Sequence, residues 1–159
     1  METGYGPLNG IRVADFTHVM AGPSCTMMLA DMGADVVKIE RVPFEADDAR
    51  NANDPYWING VSATYMVVNR NKRSLPLDLK KPGGTEIARR LARSADVLVE
   101  NYRPGVLDRL GIGYDTLREL NPGLIYAAVS GFGRSGPYGH RGGFDLMAQG
   151  MSGIMSVTG

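Results

Sequence analysis

Residues 11–40 read IRVADFTHVMAGPSCTMMLADMGADVVKIE, and the fold class follows from them. Ile11 to Phe16 is a short β-rich run that fits a buried first strand. Thr17 to Pro23 reads as a loop marked by Gly22-Pro23. Ser24 can cap a helix running to about Met32. Gly33 then suits the position after a helix, where the backbone often turns left-handed. Ala34 to Glu40 returns to β character. Strand, short helix and strand in direct succession form a βαβ unit, which makes the two strands parallel with a right-handed crossover.

The same alternation continues downstream. Arg41 to Pro55 is a polar, acid-rich loop, and Tyr56 to Val68 reads as helical. Ser74 to Leu79 alternates like a strand, and Pro76 confines it to a sheet edge. Pro82 suits the first position of a helix reaching Ser94, with Ile87 and Leu91 on one face. Asp96 to Glu100 is a buried strand. Val106–Leu110 and Tyr114–Leu120 read as short helices, and Leu124–Ser130 as another strand. Gly131 to Gly143 is glycine-rich loop, and Phe144 to Gly159 reads as an apolar, Met-rich helix. The expected fold class is α/β, with a Rossmann-like, open and mainly parallel sheet.

The 159 residues suffice for one domain with its own core. Lys+Arg and Asp+Glu balance at 17 each, which argues against nucleic-acid or membrane-surface binding, since both need a basic excess. Cys25 is the only cysteine, so no internal disulfide can form, and no Cys/His cluster has metal-binding spacing. A cytoplasmic setting fits. Met1 to Gly10 has neither the apolar nor the basic part of a signal peptide, and no apolar run reaches membrane-spanning length.

Gly131-Phe132-Gly133-Arg134-Ser135-Gly136 spells G-x-G-x-x-G after a strand. A dinucleotide site also needs a helix opening at the third glycine, where the pyrophosphate rests. Pro137, Gly139, Gly142 and Gly143 prevent one, and Asp145 comes too early to hold a ribose. The segment is better read as a flexible loop near an active site. Arg41, at the carboxyl end of the second strand, is placed to hold a phosphate. Cys25 and the methionines at 27, 28, 32, 147, 151 and 155 read as core, and Asp145 as a helix cap. His140 is assigned no role.

Several stretches together resemble one family. They are DFTHVMAGP at 15–23, GADVVKIER at 33–41, NRNKRS at 69–74 with LDLK at 77–80, ADVLVENYRPG at 95–105, LDRLG at 107–111, and SGFG at 130–133 with Gly136-Pro137. In order and spacing they are similar to the class III coenzyme A transferases, relatives of the α-methylacyl-CoA racemases and the carnitine CoA-transferases. The likeness covers nearly the whole chain, which is well under half the usual family length. It implies that residues 1–159 are the N-terminal part of a large CoA-binding domain, with a small domain and the catalytic aspartate beyond Gly159. It also implies an interlocked homodimer.

By that resemblance, contacts to coenzyme A fall on His18, Ala21, Arg41, Leu77, Lys80, Asn101, Tyr102 and Arg109. Arg41, Lys80 and Arg109 have the charge to meet phosphates, Tyr102 can pack on the adenine or the pantetheine arm, and Asn101 can donate to it. His18 is expected to line the pocket rather than move protons. The family implies that an aspartate attacks an acyl-CoA thioester, passing through an anhydride and an aspartyl-CoA thioester to acylate an incoming acid. Glycine-loop N–H groups would steady the oxyanions. Without that aspartate, turnover by these residues alone is not expected. Two substrate-pocket positions depart from relatives. Met20 replaces the glutamine of formyl-CoA transferases, and Phe144 stands where racemases have a catalytic histidine. The latter favours acyl transfer over 2-methylacyl-CoA racemisation. A third reading is a non-catalytic CoA- or nucleotide-binding module. No prosthetic group and no metal are implied.

Overall fold

A computed structural model of the chain describes residues 5–42 and 56–158. The acid-rich loop expected from Arg41 to Pro55 therefore lies mostly outside the described residues. The βαβ stretch folds as β1 (Arg12–Phe16), α1 (Ala21–Asp31) and β2 (Asp35–Arg41). Gly33 sits at φ 97°. Its N–H reaches Ala30 O at 3.0 Å, and the Ala34 N–H reaches Leu29 O at 3.1 Å. This is the paired closure of a helix end that only glycine adopts without strain.

Helix α1 starts earlier than expected, so Gly22-Pro23 is its first turn rather than a loop, and Ser24 is not the cap. Proline fits there because first-turn N–H groups have no partner within the helix. Gly22 is required for a different reason. A Cβ at this position would meet Thr17 Cβ at 2.5 Å.

The next segment corrects the helical reading of Tyr56–Val68. It forms a hairpin of β3 (Trp57–Ile58) and β4 (Val61–Ser62), followed by α2 (Ala63–Val68). Asn59 and Gly60 have φ of 51° and 76°, the left-handed pair that a two-residue hairpin turn demands. Ser62 caps α2 by accepting the Tyr65 N–H. Then follow β5 (Arg73–Leu77), α3 (Pro82–Ser94), β6 (Val97–Glu100), α4 (Val106–Arg109), α5 (Tyr114–Leu120), β7 (Ile125–Ala128), α6 (Asp145–Met151) and α7 (Met155–Thr158).

The main sheet has the order β5-β2-β1-β6-β7, and every pairing in it is parallel. Counting only its own strands along the chain, this is 3-2-1-4-5, a doubly wound sheet whose winding reverses between β1 and β6. The strand containing Pro76 is at an edge, as expected. Side chains alternate across the strands, which produces two cores. On one face Ala14, Phe16, Ile39 and Leu98 pack with Ala88, Ala92, Leu107 and Leu117. On the other Val13, Val36 and Val99 pack with Ala30 and Ala34.

Several expectations about burial fail. On α3 Ala88 and Ala92 face the sheet, and of the two expected aliphatic residues Leu91 packs against that core while Ile87 is 42% exposed. Cys25 is exposed rather than core. Met28, Met32, Met151 and Met155 are exposed as well, so the helical spacing of the methionines does not mark a core here. The C-terminal segment is two short helices rather than one. Phe144 occupies the cap position of α6, and Asp145 is inside the helix, where it accepts from Gln149. No helix among the described residues is long and apolar enough to cross a membrane.

Candidate functional site

Because the main strands run parallel, their carboxyl ends share one edge of the sheet. His18 follows β1, Arg41 ends β2, Leu77 ends β5, and Asn101 and Tyr102 follow β6. Arg41 and Leu77 are register partners, so a cation and a buried aliphatic side chain end adjacent strands together. Open α/β sheets bind ligands at this edge, beside the point where the winding reverses. That point lies between His18 and Asn101.

Lys80 is exposed beyond β5, its N–H held by Asp78 Oδ1 at 3.0 Å. Arg109 ends α4. Its guanidinium lies over the turn at Gly105, where a Cβ would stand 3.2 Å from Nη1 and where φ is 79°. Three strand spacings separate the Lys80 side from the Asn101 side, about 14 Å, so any ligand touching both must be long. Among the described residues, no carboxylate lies within ion-pairing distance of Arg41, Arg103 or Arg109. By contrast, Arg12, Arg70 and Arg73 are paired with Asp96, Asp31 and Asp35.

Ala21 and Met20 are the first residue and the cap of α1, and both are exposed. Phe144 is exposed and flanks Gly142 together with Arg103, which brings it to the turn after β6. No described contact joins Phe144 to Met20.

The loop after β1 is tightly held. Asn101 Oδ1 accepts the His18 N–H at 2.7 Å, and Asn101 Nδ2 donates to His18 O at 2.7 Å. The His18 and Tyr102 rings meet edge to face at 4.7 Å. Next comes Val19 at φ 63°, a conformation rarely adopted by a β-branched residue.

Under this loop lies a polar cluster not anticipated from the sequence. Asp15 is buried and accepts four hydrogen bonds. The Thr17 N–H and hydroxyl reach Oδ1, while the Thr26 hydroxyl and Lys72 Nζ reach Oδ2. Lys72 also donates to Pro23 O and Asn69 Oδ1, at 2.9 Å each. Buried Lys38 donates to Thr17 O at 2.8 Å. Burial alone would push the Asp15 carboxyl up. The ammonium groups of Lys38 and Lys72, with the Thr17 and Thr26 hydroxyls, outweigh it and hold the carboxyl below its usual value. The available signal was a charge set between apolar neighbours inside a strand, Asp15 between Ala14 and Phe16 and Lys38 between Val37 and Ile39.

A second buried carboxylate, Glu100, ends β6. It accepts the Tyr102 N–H at 2.8 Å and lies 3.7 Å from Arg134 of the glycine-rich loop. Burial pushes its carboxyl up, against the pull of these two donors. The loop is pinched shut where Gly131 meets Gly143: a Cβ on Gly131 would stand 2.3 Å from the Gly143 Cα. No helix opens at Gly136, where a dinucleotide pyrophosphate would need one. Among the described residues, no cluster of His, Cys, Asp and Glu could hold a metal.

This arrangement has close relatives. Succinyl-CoA:glutarate CoA-transferase of Mus musculus is 45% identical over 153 residues, spanning 96% of this chain and 35% of that protein. Succinate--glutarate CoA-transferase of Agrobacterium fabrum is 48% identical over 158 residues, spanning 96% of this chain and 39% of that protein. The crystal structure of a CAIB/BAIF family protein from Brucella suis superposes with a TM-score of 0.90 at 43% identity, covering 97% of this chain and 41% of that one. The chain thus spans well under half the length of these relatives. The pattern described as CoA-transferase family III matches residues 8–159, and with the parallel sheet and its carboxyl-edge site in place, the chain belongs to that family.

Proposed function

We propose that the whole protein moves coenzyme A between an acyl-CoA and a carboxylic acid, and that these residues form its coenzyme A cradle. The observation that carries this reading is the row His18, Arg41, Leu77, Asn101 and Tyr102 along one sheet edge, with Arg41 and Arg109 lacking carboxylate partners among the described residues. Arg41, Lys80 and Arg109 meet the phosphates. Leu77 and Tyr102 pack on the adenine and the pantetheine arm. Asn101 contributes its backbone, since its carboxamide is engaged by His18. His18, Met20 and Ala21 line the thioester end, and Phe144 borders the acyl group. The names of the mouse and Agrobacterium relatives pair succinyl-CoA or succinate with glutarate, which favours a dicarboxylic acid as acceptor here.

The proposed chemistry uses an aspartate outside these residues. Its carboxylate attacks the thioester carbonyl, the C–S bond breaks, and coenzyme A leaves as thiolate from an acyl-aspartyl anhydride. The thiolate attacks the aspartyl carbonyl and expels the donor acid, giving an aspartyl-CoA thioester. The acceptor carboxylate then displaces the thiolate to form a second anhydride. Thiolate attack on its acyl carbon releases the new acyl-CoA and restores the aspartate. Phe144 offers no base for exchange at an α-carbon, which supports transfer over racemisation. The whole protein is proposed to assemble as a homodimer, a reading with which the exposed apolar side chains of Leu146, Met151, Ile154 and Val157 agree. A single cysteine suits a cytoplasmic protein.

The test is calorimetric titration of the whole protein with coenzyme A. Arg41→Ala and Arg109→Ala should each weaken binding by about 1–3 kcal/mol, the loss of a charge-assisted hydrogen bond. Unchanged affinity in both variants would remove the cradle from this edge.

A further inference from the structure

The geometry points to Asn101 as a positioning residue that sets where Met20 and Ala21 stand by acting on the His18 backbone, and not as a side-chain ligand of coenzyme A. This rests on the transferase reading above. The parallel ladder between β1 and β6 ends at the pair Phe16 and Glu100. Beyond it the carboxamide of Asn101 stands in for a peptide group. Its oxygen accepts from the His18 N–H and its nitrogen donates to the His18 carbonyl, each at 2.7 Å, which adds one more rung across 83 residues of sequence. From the other flank Lys38 Nζ holds Thr17 O. The loop is fixed on both sides immediately before Val19, whose φ of 63° is disfavoured for a β-branched side chain.

Such a conformation persists where the surroundings over-determine it. The reversal at Val19 delivers Met20 to the cap of α1 and leaves both Met20 and Ala21 exposed at the sheet edge. Releasing His18 lets Val19 relax to an ordinary backbone, and Met20 and Ala21 move with it. The nucleotide end of the cradle, at Arg41, Leu77 and Arg109, has no part in this clamp. Asn101 should therefore govern turnover far more than coenzyme A affinity.

The test uses Asn101→Ala and Asn101→Asp in the whole protein. Aspartate keeps the volume and the acceptor but loses the donor, placing a carboxylate oxygen against the His18 carbonyl. Both variants should lower kcat by about 10- to 100-fold, the scale of a displacement of about 1 Å at reacting groups, with KM for the acyl-CoA within about two-fold of wild type. Without any ligand, amide hydrogen exchange at His18 should accelerate at least ten-fold in Asn101→Ala, by loss of its acceptor. A raised KM with kcat preserved would make Asn101 a ligand contact and overturn the inference, as would unchanged exchange at His18. If the wild-type protein neither binds nor turns over coenzyme A, the proposed function fails instead. The ligand-free exchange measurement still decides the clamp.

Discussion

Replacing Lys72 with methionine tests whether the cluster beneath the β1–α1 loop holds this half of the fold together. The side chains of Lys72 and Asp15 are 2% and 0% exposed and lie 3.0 Å apart. Methionine fills most of the same channel but donates nothing. Asp15 keeps its bonds from Thr17 and Thr26, while Pro23 O and Asn69 Oδ1 lose the ammonium they share. Removing one member of a buried ion pair costs about 3–5 kcal/mol, because the other charge stays buried. Lys38 still acts on Asp15, which places the expectation at the low end, about 3 kcal/mol. With a urea slope of about 1.5–2 kcal/mol/M, the unfolding midpoint falls by about 1.5–2 M.

The pH dependence follows from the lowered carboxyl of Asp15. A carboxylate that ionises more readily folded than unfolded contributes stability above its unfolded value, and that contribution is lost as pH falls through the folded one. Removing Lys72 weakens the depression, so the acid limb contributed by Asp15 should be shallower and level off at higher pH in Lys72→Met, while its onset, set by the unfolded chain, stays where it is. In the double variant Asp15→Asn/Lys72→Met neither member of that pair stays charged without the other, and buried Lys38 loses Asp15 just as it does in Asp15→Asn alone, so the double change should be less destabilising than the sum of the single changes by about 1–3 kcal/mol. A midpoint shift below about 0.5 M, which is what an exposed pair would give, together with an acid limb as deep as that of the wild type, would refute the reasoning.

Other expectations are independent of that cluster. Glu100 has a carboxyl raised by burial, so its contribution to stability is present below its unfolded value and lost as pH rises through the folded one. The stability of Glu100→Gln relative to wild type should therefore improve between about pH 4 and pH 7, and a trend in the other direction in paired urea titrations would contradict this. Gly131→Ala drives a Cβ into the Gly143 backbone, so the neck of the loop must part. We expect a loss of about 1–3 kcal/mol and faster tryptic cleavage after Arg134 and Arg141. Gly133→Ala, at φ 78° with open space around it, should bear only the backbone penalty, about 1–2 kcal/mol. Arg41→Lys should recover part of the coenzyme A affinity lost in Arg41→Ala, because charge survives while the planar fork does not.

The sequence showed most of the main sheet plainly. Alternating β runs, Gly33 and Pro82 mark their elements through backbone restrictions that do not depend on the rest of the fold. The hairpin at Trp57–Ser62 carried the strongest short-range signal of its kind, Asn59-Gly60, but its strands are two residues long and show no periodicity. The alanine face of α3 is silent in the sequence because alanine is compatible with both core and surface, whereas Ile87 is apolar yet exposed. Exposed methionines on α1 and α6 show the limit of helical spacing, which identifies an apolar face but not what covers it.

The positions of the candidate site residues followed from the strand ends, so their alignment along one edge was legible. Their partners were not. Asn101 and His18 are 83 residues apart, and Lys72 and Asp15 are 57 apart. Nothing local to either member of these pairs announces the other. Whether a given arginine has a carboxylate beside it is likewise settled only by the folded chain, which is how, among the described residues, Arg41 and Arg109 separate from Arg12, Arg70 and Arg73.

The touching glycines at 131 and 143 make the chain between them a closed bubble on the sheet's rim. Its contour length is decoupled from the strands, since both ends return to one point however far the excursion runs. Residues can therefore be added or removed between 132 and 142 while every strand register stays as it is. Two side chains no larger than a hydrogen atom make that stretch the interchangeable part of an otherwise fixed frame.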